Sequence, residues 1–107
     1  MIYGYETTTA VVISEQIQNL MLLKVPLTEE WVILSLFGEC VLNRDLKIIL
    51  FINQEPIIEQ YFYLNGKPVM INQTIKGGSM IMVKGICATP LIDTAIVNLI
   101  VNRITKG

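Results

Sequence analysis

Nearly one residue in three of this chain branches at Cβ: 17 Ile, 9 Val and 8 Thr stand against three Ala among 107 residues. A second heavy atom on Cβ crowds the preceding turn of a helix, whereas a pleated surface accommodates it. That bias predicts an all-β chain. Hydrophobic residues make up 52% and charged residues 16%, and mean hydropathy is +0.55. A chain so apolar and so sparsely charged folds rather than staying disordered. Its length supports one core and no second domain.

Apolar runs of strand length recur between turn residues, which predicts eight strands. They cover Thr7 to Ile13, Ile17 to Val25, Trp31 to Leu42, Leu46 to Asn53, Ile57 to Leu64, Val69 to Ile75, Met80 to Cys87 and Thr94 to Ile104. Gly38 suggests a bulge or bend within the third. Gln54-Glu55-Pro56 reads as a turn after the fourth, and Asn65-Gly66 accepts the positive φ values of a type I′ hairpin turn. Ile17, Leu20 and Met21 are also helically spaced, so Glu15 to Leu23 fits one or two helical turns as an alternative. Eight short-linked strands in about a hundred residues fit an antiparallel β-sandwich, an eight-stranded jelly roll above all. An immunoglobulin arrangement would place Trp31 between two cysteines, but Cys40 and Cys87 both follow it. Residues 1–10 read as an N-terminal arm or first-strand extension, and residues 11–107 as the single sandwich domain.

Residues with reactive chemistry are few. No His is present, which removes the commonest general base and the commonest zinc ligand. Eight Lys and Arg against nine Asp and Glu leave a net charge of −1, with no concentrated basic face for nucleic acid or an anionic membrane. Leu91-Ile92-Asp93-Thr94-Ala95 looks like the strand-end motif of aspartic proteases. However, Ala95 stands where the tight turn needs Gly, and only 12 residues follow it. Asp93 therefore reads as the end of a loop before the last strand. Cys40 and Cys87 lie in apolar strands and read as buried thiols rather than a disulfide.

Glu29-Glu30, and Glu55 with Glu59, read as solvated edges rather than as a catalytic carboxylate pair set about 5–10 Å apart across a cleft. Gly77-Gly78-Ser79 lacks the helix and Lys of a phosphate loop and reads as a tight turn. Tyr61, Phe62 and Tyr63 lack the Lys and Arg of a base-stacking sheet and read as packing residues. No catalytic residue, cofactor site or metal site is expected, and the chain is not read as an enzyme.

The surplus of apolar residues is the positive signal. A sandwich strand turns one face to the core and one to water, yet Trp31 to Phe37 and Met80 to Cys87 are apolar on both. One small core cannot bury both faces, so self-association is expected. Ile2, Tyr3 and Tyr5 of the arm, with Trp31, Leu34, Leu36 and Met82 on the strands, are the expected interface. The arm is expected to add a strand to a neighbour's open sheet edge. Met1 to Glu6 has neither the basic nor the apolar region of a secretion signal, so none is expected.

Leu64-Asn65-Gly66 followed by Pro68-Val69, Gly77-Gly78-Ser79-Met80-Ile81, and Asn98-Leu99-Ile100-Val101-Asn102-Arg103-Ile104 resemble a hairpin, a strand opening and a closing strand of small jelly-roll modules. Those modules are the C1q/TNF-like group and the subunits of spore appendages and phage fibres. The resemblance covers roughly residues 57–107; the Gly before an aromatic that usually opens a central strand is absent ahead of Trp31. It implies a structural, self-assembling subunit of a homo-oligomer or filament on a spore, cell or virion surface, which a surface-anchoring protein would hold. The alternative is a carbohydrate- or protein-binding sandwich module.

Overall fold

The computed structural model describes residues 2–42, 46–62, 67–87 and 92–105, with their side chains except those of residue 3 and residues 59–62. Eight strands run through it: β1 (Ile2–Ile13), β2 (Gln18–Lys24), β3 (Glu29–Cys40), β4 (Leu46–Ile52), β5 (Glu55–Phe62), β6 (Val69–Ile75), β7 (Met80–Cys87) and β8 (Asp93–Thr105). They form two four-stranded antiparallel sheets, in the orders β1-β8-β3-β6 and β2-β7-β4-β5. Every connection but β4–β5 crosses from one sheet to the other, which is the jelly-roll winding. The 15–23 segment is not helical: residues 18–24 are the edge strand β2.

Inward side chains close the core between the sheets. Ile33, Val97, Leu99 and Val101 from the first sheet, and Leu46, Ile48, Leu50, Ile81 and Val83 from the second, are fully buried. Gly38 makes no bulge. It faces inward, and a Cβ there would collide with the side chains of Ile48 and Leu46 from the opposite sheet. The sheets approach this closely because that side chain is missing.

Bulges fall elsewhere and decide which way residues point. Leu34 is an extra residue of β3 between the pairs Ile33–Val101 and Ser35–Ile100, and Leu20 is an extra residue of β2 between Asn19–Lys84 and Met21–Val83. Each extra residue reverses the alternation beyond it. So Leu20 and Met21 are both buried, and Leu36 joins Ile33 in the core instead of sharing a face with Val32.

The in-sheet hairpin also differs from expectation. Ile52 pairs with Glu55 across a two-residue turn in which Asn53 and Gln54 have φ of 51° and 72°, a type I′ geometry. Pro56 lies inside β5, on a sheet edge that tolerates a missing N–H. Asn53 is tied to the far side of the sheet: its Oδ1 accepts the Met80 N–H at 2.9 Å and its Nδ2 donates to Ser79 Oγ at 3.2 Å. The Asn65-Gly66 turn lies outside the described residues, and its flanking strands β5 and β6 belong to opposite sheets, so they are not a paired hairpin. At the β6–β7 turn Gly78 has φ of +85°, as a tight turn there requires.

Candidate assembly surfaces

The first sheet is the longer one. Strands β1, β3 and β8 run for 12, 12 and 13 residues, while those of the second sheet run for 7 or 8. The first turns of β1 and β3 and the end of β8 carry an aromatic and ionic cluster on the inner face. Arg103 grips Glu29 with both nitrogens, Nε to Oε1 at 2.6 Å and an Nη to Oε2 at 2.7 Å. Trp31 Nε1–H donates to Glu29 Oε1 at 3.1 Å. The guanidinium lies 5.2 Å from the ring centres of both Tyr5 and Trp31, which are 5.8 Å apart. Glu29 is thus a buried, paired residue and not the solvated edge its sequence context predicts. Its partner comes from a strand 74 residues away, beyond the reach of any local pattern.

This cluster anchors β1, which pairs with β8 over its whole length from Ile2–Ile104 to Ile13–Asp93 without a register shift. Of residues 1–10, expected as an arm or first-strand extension, residues 2–10 are part of a paired strand in this chain. The other side of β1 is a sheet edge. Near its middle Thr9 Oγ1–H donates to the Leu20 carbonyl at 2.9 Å, fastening it to β2 of the other sheet. At the far end of β8, Asp93 accepts the Leu42 N–H at 3.0 and 3.1 Å and the Thr94 N–H at 2.7 Å. It is a buried strand-start cap, with no second carboxylate built beside it by any described contact.

The expected interface residues separate into three groups. Trp31, 4% exposed, and Leu36, fully buried, belong to this chain's own core and offer no surface to a neighbour. Tyr5 is half-buried in the inner-face cluster. Ile2 (66% exposed), Leu34 and Met82 do reach the outside, while Tyr3 occupies the β1 position opposite Arg103. Register adds residues that the pattern of single strands did not single out. Leu22, Met82, Phe51 and Pro56 form one uncharged row across all four strands of the second sheet. Met70 of β6 is also largely exposed. Cys40 and Cys87 are buried thiols. Among the described residues no group of three His, Cys, Asp or Glu is placed to hold a metal ion.

No family model and no curated protein sequence matches the chain. Solved structures do. A Bacillus endospore appendage protein, of a family of disulfide-linked pili, superposes with a TM-score of 0.58 at 7% identity, over 99% of this chain and 89% of that one. The Yersinia pseudotuberculosis-derived mitogen superposes with a TM-score of 0.50 at 12% identity, over 92% of this chain and 84% of that one. The spore-appendage side of the sequence resemblance thus has a structural counterpart, while no family match supports its C1q/TNF-like side. At these identities the likeness establishes the fold: an eight-stranded antiparallel β-sandwich of the kind found in an endospore pilus protein and in a mitogen.

Proposed function

We propose that this chain is a non-catalytic structural subunit that joins copies of itself into a filament on a spore, cell or virion surface. The observation that carries this reading is the outer edge of β1. It is twelve residues long, unbulged against β8, free of Pro, Lys and Arg, and bears a single charge at Glu6. An edge of that kind presents a row of backbone donors and acceptors to which another strand can add, at about 1 kcal/mol net per hydrogen bond. A head-to-tail contact made this way continues unless its rotation closes a ring. The likeness to an endospore pilus protein supports the same reading. Those pili are disulfide-linked, whereas both cysteines here are buried, so the contacts proposed for this chain are non-covalent.

Light scattering after size exclusion, with negative-stain imaging of the same fractions, tests it. Species that grow with protein concentration into filaments are expected. A monomer at every concentration would overturn the reading.

One observation favours a second reading, a ligand-binding module. A cleft of about 290 Å³ opens between the β5 and β6 edges, lined by Asn53, Glu55, Gln73, Thr74 and Lys76 among others. Hydrogen-bonding side chains around an open cleft suit a carbohydrate. Saturable glycan binding that Gln73→Ala abolishes would favour this reading over assembly.

A further inference from the structure

The two outer faces of the sandwich carry opposite charge. On the first sheet the outward charged residues are Glu6, Glu30 and Glu39. Its one cation, Arg103, is turned inward onto Glu29. On the second sheet the cations are Lys24, Lys47 and Lys84, all at outward register positions. Of that sheet's two acidic residues, Glu55 sits at the β4–β5 turn, and Glu59 occupies an outward register position in the row of Lys84 and Ile49, so three lysines stand against one glutamate on this face. Among the described strand residues, the outward positions therefore carry net negative charge on the first sheet and net positive charge on the second.

The charges are also matched along the strands. Lys24 lies level with Met80 and Lys84 follows four residues later on β7, with the uncharged Leu22–Met82–Phe51 row between them. On the other face Glu39 lies level with Ile96 and Glu6 with Ile100, four residues apart on β8, and the Thr8–Asn98–Phe37 row lies between. Four residues of strand span about 13 Å on either face. When Lys24 of β2 opposes Glu39 of β3, β7 lies over β8 and β4 over β1, so Leu22 comes to lie over Phe37, Met82 over Asn98 and Phe51 over Thr8, with Lys84 one strand from Glu6. Lys84 already holds its ammonium 5.3 Å from the Phe51 ring centre, at the border of that apolar row.

We propose that the second sheet of one copy stacks on the first sheet of the next, its lysines against the neighbour's glutamates. The partner is a second copy of this chain, because the same molecule carries both complementary faces, with the charges four residues apart along the strands on each. Like faces repel, so a two-fold dimer through either face is disfavoured and only face-to-back stacking remains, which is heterologous. The contact lies at right angles to strand addition at β1. This inference rests on the self-assembly reading and adds to it a direction and a charge code.

The test uses the full chain and two double variants. Lys24→Glu with Lys84→Glu makes both faces negative; Glu6→Lys with Glu39→Lys makes both positive. All four positions lie on the surface, and circular dichroism verifies that each variant is folded. Sedimentation velocity at about 50 mM salt is expected to show each variant alone associating about tenfold more weakly than the parent, or worse. An equimolar mixture of the two should recover association, and about 500 mM salt should weaken the parent and the mixture alike. If the parent assembles and the variants assemble equally well alone, face stacking is wrong while self-assembly stands. If the variants are weakened but their mixture is not restored, the pairing of opposite faces is wrong. A parent that never associates overturns both.

Discussion

The sandwich has four sheet edges, and three are protected while one is not. β2 is kinked by the bulge at Leu20 and ends in Lys24. β5 contains Pro56 and a register shift beside it. β6 has a bulge at Ile71 and Asn72 opposite Leu34, with Asn72 at φ of 56°. Bulges, prolines and lysines are the usual devices that stop an edge from recruiting another strand. β1 has none of them, and it is longer than any of the other three edges. A device present on three edges and absent from the fourth is why the proposed strand addition is assigned to β1.

The most severe way to break the comparison is to give β1 what β5 has. Successive residues of a strand direct their N–H groups to opposite sides, so of Thr7→Pro and Thr8→Pro one removes a bond to β8 and the other alters only the open edge. One variant is expected to unfold or to lose about 3 kcal/mol in urea titrations. The other should stay folded and fail to form filaments under negative stain. Two folded variants that both assemble would show that β1 is not the growing edge. Deleting residues 1–9 is a less clean experiment than the sequence suggests, since it would also strip β8 of one of its two partners over residues 97–104.

A smaller effect is expected from loosening the support beneath the edge. Arg103→Met removes the guanidinium from a carboxylate whose side chain is only 11% exposed, and from the rings of Tyr5 and Trp31. A cost of about 2 kcal/mol is expected, between the values for exposed and buried ion pairs. Amide exchange should accelerate in residues 2–6 more than in β4. Uniform acceleration would mean that the cluster supports the whole sandwich rather than the start of β1.

The protected edges supply the remaining two tests. Asn72→Val places a β-branched residue in the left-handed region and should cost about 1–2 kcal/mol by thermal melting, with assembly unchanged. Pro56→Thr returns an N–H to the β5 edge. The smallest effect is expected here: a slight rise in association by light scattering, since the neighbouring register shift still distorts that edge. No change in the first would deny that the β6 bulge is a strained, built feature. Wholesale aggregation in the second would show that Pro56 alone guards β5.

Much of the sandwich was legible in the chain. The β-branched excess and the spacing of turn residues located all eight strands, and the apolar alternation of β4 and β7 named core residues such as Leu46, Ile48, Leu50, Ile81 and Val83. The candidate interface was legible only in part. Leu34 and Met82 do face outward, but Leu36 does not, because alternation presumes an unbroken ladder and the bulge at Leu34 reverses it. The Asn65-Gly66 dipeptide carried the stronger local turn signal. The two-residue hairpin nevertheless forms at Asn53-Gln54, where Ser79 and Met80 hold the Asn53 side chain.

By itself the sequence determined what depends on neighbours along the chain: strand propensity, the turn residues and the apolar alternation that marks core positions such as Ile48 and Leu50. Only the tertiary structure decided what depends on residues far apart in sequence. Register placed Arg103 against Glu29, bulges chose which face Leu36 and Met21 would take, and the sheet order made β1 an edge strand that carries no bulge, Pro or Lys. The reason is physical. Propensity and turn chemistry act within a few residues, whereas pairing, burial and charge complementarity are fixed only when strands up to a hundred residues apart are laid side by side.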